Sequence, residues 1–442
     1  MSQKQETQTE KPFWLDGNFA PVFEEVTETE LSVTGAIPPE LNGKYFRNGA
    51  NPHTGVSGDW FIGQGMIHGV ELKGGKATWY RNRYVQTALL HKDNPKPEDY
   101  ADLENSMANT HVIRHADKIM AITEVSLPIQ LTPTLETIGA YTFDGKLNGP
   151  MTAHPKVCPI TGEMLFFGYS IQPPFLTYYR ASKDGTLVQS ELIDVPGPTM
   201  MHDLNITENY VIFLDLPMVF DPETMGNGGL GIRYEESYGA RLGVMPRHGK
   251  SANVRWFDIE PCYVFHTLNA YEDGDEVVLD GCSLVGYMAD GMTKAPLPNL
   301  YQWRMNLKTG QVRESQVDNL SLDFPRVPDS KVGQPYRYGY LAEVSPTVPT
   351  MTGYHKYDMR TGSRTTHVLK NGEEGNEAVF VPAAGGTSED DGYLMTYVYK
   401  PDTNTSDLLI MDASNMASDP VARIHLPVRV PAGFHGSWMP DA

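Results

Sequence analysis

The stretch Gly433-Phe434-His435-Gly436-Ser437-Trp438 ends at residue 438 of a 442-residue chain and guides the interpretation of the rest. Chain ends usually fray unless something ties them to the body of the protein. A histidine between glycines and large aromatic residues therefore predicts an anchor elsewhere in the chain. Three upstream segments are candidate partners, each with one histidine next to a strand-like run: 152–156, 200–204 and 264–268.

The four histidines of these segments, His154, His202, His266 and His435, are far apart in the sequence. They can converge only if the chain closes on itself and brings its end back to its middle. Converging imidazoles would form a metal site, although no local metal motif such as H-E-x-x-H is present. The alternative is that each histidine is a core residue bonded to a backbone carbonyl, and the spacing alone leaves both interpretations open.

Composition excludes several classes of protein. With 35 Lys and Arg against 55 Asp and Glu, the net charge is −20, which disfavours nucleic acid as a partner. Three cysteines without C-x-x-C spacing favour neither a disulfide framework nor a zinc site. No run of 18 apolar residues spans a membrane, and the polar start lacks the apolar segment of a signal peptide. These features predict a soluble cytoplasmic protein, with a disordered tail over 1–12 and one domain over 13–442.

Short runs of β-branched and aromatic residues, separated by turns, continue along the whole chain, and long amphipathic helix patterns are nearly absent. Clear strand candidates are 77–81, 164–169, 210–214, 276–280, 301–305, 393–399 and 407–411. Such a pattern is typical of a series of sandwiches, a large barrel or a propeller. The fold class is therefore all-β.

Two features favour the propeller. No linker or change of composition divides the chain into small sandwiches, and a strand, tight turn and second strand recur, as at 305–310 and 357–362. Propeller repeats are about 40–50 residues long. His154 and His202 are 48 residues apart, and His202 and His266 are 64 apart, which corresponds to about one blade each. Histidines at the inner edges of successive blades would face a common axis.

The segment Gly226-Asn227-Gly228-Gly229-Leu230-Gly231 matches the G-x-G-x-x-G pattern of dinucleotide-binding proteins. That interpretation requires a strand directly before the glycines, a helix after them and an acidic residue about twenty residues further on. Asp221-Pro222-Glu223 intervenes, no helical periodicity follows, and Lys250-Ser251 stands where the acid should be. We interpret the segment as a loop. The apolar stretch 216–220 before it is a candidate for substrate uptake at a membrane surface.

Read together, the histidine segments resemble the carotenoid cleavage oxygenase family, most closely its compact bacterial branch. The matching stretches run in the family's order from about residue 20 to the end: Tyr45-Phe46-Arg47-Asn48-Gly49, Thr152-Ala153-His154-Pro155, Met201-His202-Asp203, Phe265-His266-Thr267-Leu268-Asn269-Ala270, Asp323-Phe324-Pro325-Arg326, Glu377-Ala378-Val379-Phe380-Val381-Pro382 and Gly433-Phe434-His435-Gly436. The resemblance implies a seven-bladed β-propeller with loops that form a dome over an axial metal site.

The resemblance further implies Fe(II) held by the four neutral imidazoles of His154, His202, His266 and His435, and three carboxylates that orient them. Metal-bound imidazoles generally donate their second N–H to a carboxylate or carbonyl. The implied pairs are Glu124 with His202, Asp323 with His266 and Glu377 with His435, which leaves His154 without a carboxylate. Asp323 departs from the family's usual glutamate and is one methylene shorter, so that pairing is expected to be shifted or bridged by water.

The implied activity is cleavage of a carbon–carbon double bond by O₂ to give two carbonyl products, with a carotenoid or apocarotenoid as substrate. Thr110 matches a family threonine beside an open coordination position. Phe61, Phe265, Tyr301 and Phe434 are candidates for the wall of an apolar tunnel, and ordinary packing is the alternative for each. The family branch that cleaves phenolic stilbenes and phenylpropenes has a lysine directly before the first outer glutamate, where this chain has Thr123.

Two functions of other classes are weighed against this one. A propeller that only binds protein partners would contain structural histidines and refuse iron. A calcium-dependent propeller hydrolase would place carboxylate and carbonyl oxygens at the axis rather than four nitrogens, and the sequence disfavours it.

Overall fold

A computed structural model describes residues 11–92, 95–221, 231–285 and 297–441. The regular secondary structure of the described residues is nearly all β-strand, and their helices are single 3₁₀ turns. These turns are Phe13–Leu15, Gly17–Phe19, Ala88–His91, Pro97–Tyr100, Glu236–Tyr238, Ser251–Asn253 and Asp329–Lys331. The expected disorder of residues 1–12 falls mostly on residues 1–10, which lie outside the described ranges.

The strand pairings form seven successive antiparallel meanders of four strands among the described residues. The first meander contains Gly436–Pro440, Gly43–Ala50, Gly65–Lys73 and Lys76–Tyr84. The second contains His111–His115, Lys118–Ile122, Ile129–Leu131 and Thr137–Ala140. The third contains Lys156–Val157, Met164–Tyr169, Leu176–Ala181 and Leu187–Ile193, and the fourth Leu204–Ile206, Tyr210–Asp215, Ala240–Pro246 and Arg255–Ile259.

The remaining three meanders follow in the same way. The fifth contains Cys262–Asp273, Glu276–Val285, Asn299–Asn306 and Val312–Gln316. The sixth contains Leu322–Arg326, Tyr338–Val344, Met351–Asp358 and Ser363–Val368, and the seventh Val379–Pro382, Gly392–Lys400, Thr405–Asp412 and Ala422–His425. Three short strands extend or bridge these sheets: Thr27–Glu28, Val33–Gly35 and Glu374–Gly375. A separate two-stranded sheet contains Met218–Phe220 and Ile232–Tyr234.

Apolar layers lie between each meander and the next, because successive residues of a strand point to opposite faces of its sheet. Tyr340, for example, packs between the sixth and seventh meanders, whereas its neighbour Leu341 packs between the fifth and sixth. Tyr45 and Val379 belong to a layer that joins the seventh meander to the first. The meanders therefore form a closed ring. This is the architecture of a β-propeller.

The end of the chain closes the ring. Gly436–Pro440 pairs antiparallel with Gly43–Ala50 and becomes the first strand of the first meander. Val33–Gly35 pairs with Ala422–His425, the last strand of the seventh. The predicted anchor of the C-terminal histidine segment is therefore a strand pairing.

Two local predictions can be compared with the structure. The repeated turns at 305–310 and 357–362 are the same hairpin turn, in which Gly310 donates to the carbonyl of Asn306 and Gly362 to that of Asp358. Within 216–220, the candidate for substrate uptake, Met218 is 1% exposed and packs in an apolar layer. The glycines at 226–230 lie outside the described residues. Among the described residues, no helix is long and apolar enough to cross a membrane.

Candidate metal centre

The first strand of each meander begins near the centre of the ring, and these strand starts carry the candidate site residues. His154 and His202 precede the first strands of the third and fourth meanders, and His266 lies within that of the fifth. His435 immediately precedes Gly436–Pro440. One potential ligand nitrogen from each of the four histidines lies within 4.8 Å of those of the others, and all four side chains are buried. The structure therefore brings together the four histidines singled out from the sequence.

The ring nitrogens of these histidines divide into an outer and an inner set. Nδ1 of His266 lies 2.7 Å from Asp323 Oδ1, and Nδ1 of His435 lies 2.9 Å from Glu377 Oε1. Nδ1 of His202 contacts Glu124. The Nε2 atoms of His154 and His202 are 3.0 Å apart, and the buried Nε2 of His266 has no protein partner among the described residues. Imidazole nitrogens that face one another, one of them without a protein partner, fit a bound cation. Four imidazoles suit a borderline divalent metal such as iron.

Burial favours the neutral imidazole that a metal ligand requires. It lowers the pKa of His154 well below its usual value, and neighbouring histidines lower it further. For His435, burial outweighs the opposing effect of Glu377 and lowers the pKa to about 3. His266 differs: burial lowers its pKa, but the charge and hydrogen bond of Asp323, together with the charges of Asp203 and Glu377, outweigh burial and raise the pKa.

Glu124 bridges two side chains from neighbouring meanders. One of its oxygens contacts Nδ1 of His202, and the other accepts the phenolic hydrogen of Tyr169. Both Glu124 and Tyr169 are buried. Burial and the Glu124 carboxylate raise the pKa of Tyr169 well above its usual value, so the phenol remains a donor. Tyr169 was not among the predicted site residues, because it is 45 residues from Glu124 and no local pattern connects them.

Glu377 is held by an arginine as well as by its histidine. Nε and Nη2 of Arg326 lie 2.9 Å from Oε1 and Oε2 of Glu377 respectively, a bidentate pair. Nη2 of Arg326 also donates to the carbonyl of Gly436, and the Gly436 N–H donates to Glu377 Oε2 at 2.8 Å. Arg326 stands in a motif quoted from the sequence, yet it was not predicted to support the site.

Asp323 contacts His266 directly, although a shifted or water-bridged pairing was expected. The strand Leu322–Arg326 is irregular here: its register shifts between Asp323 and Arg326, and Phe324 has a φ of +52°. Asp323 Oδ1 also accepts the backbone N–H of Phe324 at 2.8 Å. The bulge changes the local course of the strand at Asp323, and the shorter side chain contacts His266 without a bridge. No carboxylate in the described ranges contacts His154.

Thr110 lies beside the histidines through its backbone. The N–H of His435 donates to the carbonyl of Thr110 at 3.1 Å. The Thr110 hydroxyl lies 3.0 Å from Asn109 Oδ1 and 3.2 Å from the hydroxyl of Thr123. The backbone of Thr110 is therefore next to the cluster.

Three of the four aromatic tunnel candidates lie near the histidines. Phe61 stacks on Phe434 with ring centroids 5.6 Å apart, and Phe265 contacts the ring of His202 edge-on at 5.1 Å. Tyr301 instead packs on Trp303, at 5.0 Å, against the layer between the fourth and fifth meanders. The ring of Phe324, which was not among the candidates, lies 4.9 Å from that of His266.

A cavity of about 390 Å³ reaches the cluster along the inner strands. His154, His266 and His435 line it, together with polar residues that follow them on these strands. Among these, Asp203 pairs with Lys156 at 2.7 Å and accepts the N–H of Thr267. Asp203 thus links the strands of three site histidines.

Comparison with known proteins places this geometry in a family. The family model described as "Retinal pigment epithelial membrane protein" matches residues 19–440. A carotenoid 9,10(9',10')-cleavage dioxygenase of Crocus sativus is 38% identical over 96% of this chain and 89% of its own length. A carotenoid cleavage oxygenase of Mycobacterium tuberculosis is 37% identical over 100% of both chains.

Solved structures show the same fold. The lignostilbene dioxygenase of Pseudomonas brassicacearum superposes with a TM-score of 0.87 at 27% identity, over 98% of this chain and 100% of that one. A variant of the apocarotenoid oxygenase of Synechocystis superposes with a TM-score of 0.86 at 25% identity, over 97% and 98% of the two chains.

Proposed function

Because the chain belongs to the carotenoid cleavage oxygenase family, whose members are iron-dependent, we infer that it is a non-haem Fe(II) oxygenase. It cleaves a carbon–carbon double bond of a carotenoid or apocarotenoid with O₂ and releases two carbonyl products. The observation that carries this function is the buried cluster of four imidazoles at the centre of the ring. A propeller that only binds partners has no need for four inward-facing nitrogens supported by three carboxylates.

His154, His202, His266 and His435 would hold the iron through the nitrogens that face one another. Glu124, Asp323 and Glu377 fix the ring orientation of three of these ligands by accepting their second N–H. Bound Fe(II) supplies the activation of O₂, which amino-acid side chains alone do not provide. Thr110 would lie beside the position left for O₂ and the alkene.

The protein's contribution to catalysis is a dry aromatic environment that binds and orients the substrate. Phe61, Phe265 and Phe434 surround one side of the histidines and would form part of the tunnel wall. Burial of a polyene along such a wall contributes about 25 cal/mol per Å² of apolar surface. No polar partner is needed for that binding. Tyr301 would belong to the wall further from the iron.

Thr123 supports a polyene substrate over a hydroxystilbene. Its side chain is 5% exposed and its short neutral hydroxyl already lies within hydrogen-bond distance of Asn109 and Thr110. It cannot pair with a phenolate as the lysine of the phenol-cleaving branch would. Burying a phenolate without a partner costs several kcal/mol, on the order of the penalty for an unpaired buried charge.

Cleavage of stilbenes or phenylpropenes by the same iron chemistry is the second candidate, and the likeness to a lignostilbene dioxygenase supports it. The test is kcat/KM for an apocarotenal against resveratrol and isoeugenol at identical iron loading, with product analysis by mass spectrometry. We expect the apocarotenal to be preferred. A clear preference for either phenol would assign the chain to the second function.

Uptake of the apolar substrate from a membrane surface is a further part of the proposal. Phe23 is 60% exposed and Val56 72% exposed, and a Cβ at the neighbouring Gly55 would lie 3.3 Å from the Phe23 ring. These residues adjoin the loop that carries Phe61. Phe23→Ser with Val56→Ser should reduce co-sedimentation with phosphatidylcholine vesicles and leave the iron content unchanged, and undiminished co-sedimentation would contradict contact through these residues.

A further inference from the structure

Three polar side chains form a closed group next to the histidine cluster. Oδ1 of Asn109 lies 3.0 Å from the hydroxyl of Thr110 and 3.2 Å from that of Thr123, and the two hydroxyls are 3.2 Å apart. Asn109 is 1% exposed and Thr123 is 5% exposed. We call these three residues the hydroxyl group triad.

The orientation of the Asn109 amide is determined by its other neighbours. Its Nδ2 donates to the backbone carbonyls of Phe61 at 3.0 Å and Gly63 at 2.8 Å. A carbonyl can only accept, so the NH₂ end must face these two groups and the Oδ1 end must face the threonines. Oδ1 in turn can only accept hydrogen bonds from the two hydroxyls.

Both threonine hydrogens are consequently used inside the triad. Each hydroxyl carries one hydrogen. Either both hydroxyls donate to Asn109 Oδ1, or one donates to the other hydroxyl, which itself donates to Oδ1. The distances from the two hydroxyls to Oδ1, 3.0 and 3.2 Å, fit the first arrangement. In both of these arrangements neither hydroxyl hydrogen remains for a ligand.

The triad lies against groups that contact the cluster. Thr123 directly precedes Glu124, which contacts His202, and the carbonyl of Thr110 accepts the N–H of His435. Asn109 also holds the backbone of Phe61, whose ring stacks on Phe434, the residue before His435. A ligand that binds beside Thr110 and Phe434 would contact this wall, which offers it no hydroxyl donor.

We propose that Asn109 is a positioning residue that determines substrate class: by accepting both threonine hydrogens it prevents the wall beside Glu124 from donating to a hydroxylated substrate. This deepens the proposed function, on which it rests. The aromatic and threonine methyl surfaces then suit a hydrocarbon chain, and a phenol loses its bonds to water without replacing them.

Binding of dihydroresveratrol, a saturated stilbenoid without a double bond to cleave, tests the proposal without turnover. In Asn109→Leu the two hydroxyls can still bond to each other, which frees one hydrogen. We expect the iron-loaded variant to bind dihydroresveratrol about fivefold more tightly by calorimetry, the equivalent of one ordinary hydrogen bond. The KM for an apocarotenal should rise, because a free buried donor must lose water to a polyene.

Asn109→Asp is the matched control. A protonated aspartic acid still accepts both hydroxyls through one oxygen and can donate to one carbonyl, so its affinity for dihydroresveratrol should equal that of the wild type. Equal gains in Asn109→Leu and Asn109→Asp would show that the Phe61 loop, not the hydroxyls, is responsible, and would overturn the proposal. No gain in a folded Asn109→Leu would also overturn it.

Thr123→Val provides a test that does not require Asn109 variants to fold. Since the Thr123 hydrogen is already used within the protein, its removal should change dihydroresveratrol affinity by less than about twofold. A loss of about fivefold would mean that the hydroxyl donates to the ligand in the wild type, against the proposal. If the wild type cleaves neither polyenes nor phenols, the proposed function fails while these binding measurements still decide the role of Asn109.

Discussion

The carboxylates that support His435 and His266 are held in different ways. Glu377, beside His435, receives a bidentate Arg326 and the N–H of Gly436. Asp323, beside His266, receives only the backbone N–H of Phe324, and no lysine or arginine of the described ranges pairs with it. Both carboxylates are nevertheless within 2.9 Å of the Nδ1 atom that they orient.

This difference shows that a carboxylate can orient its histidine ring in the same way while acting on the histidine with a different net charge. Burial opposes the ionisation of Glu377, but Arg326 and His435 outweigh it and hold its pKa below the usual value. Burial is the main cause that lowers the pKa of His435 to about 3 against the effect of Glu377, and the charge of Arg326 lowers it further. Asp323 has no such cation, and it raises the pKa of His266. Two ligands of one metal would thus differ in the electrostatic support that they receive.

Removal of a histidine ligand should have the largest effect on iron affinity, and the effect should be the same for His435 and His266. His435→Ala and His266→Ala should each lower iron affinity by more than about 100-fold, beyond the usual effect of losing an outer partner. Iron per chain by atomic absorption is the measurement. His367→Ala, which removes a buried histidine bonded to the carbonyl of Met416, is the control and should keep its iron. Full iron occupancy in His435→Ala would refute the assignment.

Loss of a carboxylate charge should have the next largest effect. Glu377→Gln should weaken iron affinity or activity by about 10–100-fold while keeping the fold, and Glu124→Gln should do the same for His202. Glu343→Gln is the control, since Glu343 contacts His355 at 2.8 Å elsewhere in the sixth meander. An iron titration monitored by activity distinguishes the variants, and a control as impaired as Glu377→Gln would argue against a local role.

Removal of Arg326 should make the support of His435 resemble that of His266. In Arg326→Met the contact between Glu377 and His435 remains, so iron affinity should fall less than about tenfold. The pKa of His435 in the metal-free protein should rise, because Glu377 is no longer balanced, and histidine NMR titration measures this. Breaking a buried ion pair also costs about 3 kcal/mol of unfolding free energy.

Arg423→Met is the matched control for that variant. Arg423 forms a similar fork with Glu373 in the seventh meander, and its side chain is 22% exposed against 24% for Arg326. It should lose comparable stability without any change in the pKa of His435. An unchanged pKa in Arg326→Met would mean that the arginine contributes only to stability.

The sequence predicts the part of this architecture that local patterns encode. Strand runs, tight turns and the absence of helices indicate an all-β closed fold, and one histidine at the start of several inner strands is visible as four similar segments. The three carboxylates came from the resemblance, and the structure brings each of them against the expected histidine.

The residues that hold the carboxylates, Tyr169 and Arg326, could not be predicted, because each of these contacts joins different meanders. Tyr169 is 45 residues from Glu124 and Arg326 is 51 from Glu377, and a tyrosine or arginine in a strand has many other uses. The bulge at Phe324 is equally hidden, since a positive φ at a phenylalanine has no signature in the sequence. The direct contact of Asp323 depends on that bulge.

Asp323→Glu should have the smallest effect on iron affinity. It tests whether the bulge compensates for an aspartate side chain that is one methylene shorter than glutamate. Asp323 already contacts His266 at 2.7 Å, so a longer side chain is not needed to reach the ring. Glutamate can still supply the carboxylate by bending its extra torsion, but the buried site must accommodate a methylene, which costs about 1–3 kcal/mol when packing is tight. We expect iron affinity within about threefold of the wild type and a modest loss of thermal stability. Asp323→Asn should instead lose about 10–100-fold in affinity, because the charge and the acceptor pair are gone. If Asp323→Glu abolishes activity while Asp323→Asn retains it, the carboxylate does not act by orienting His266, and the two supports differ in purpose as well as in charge.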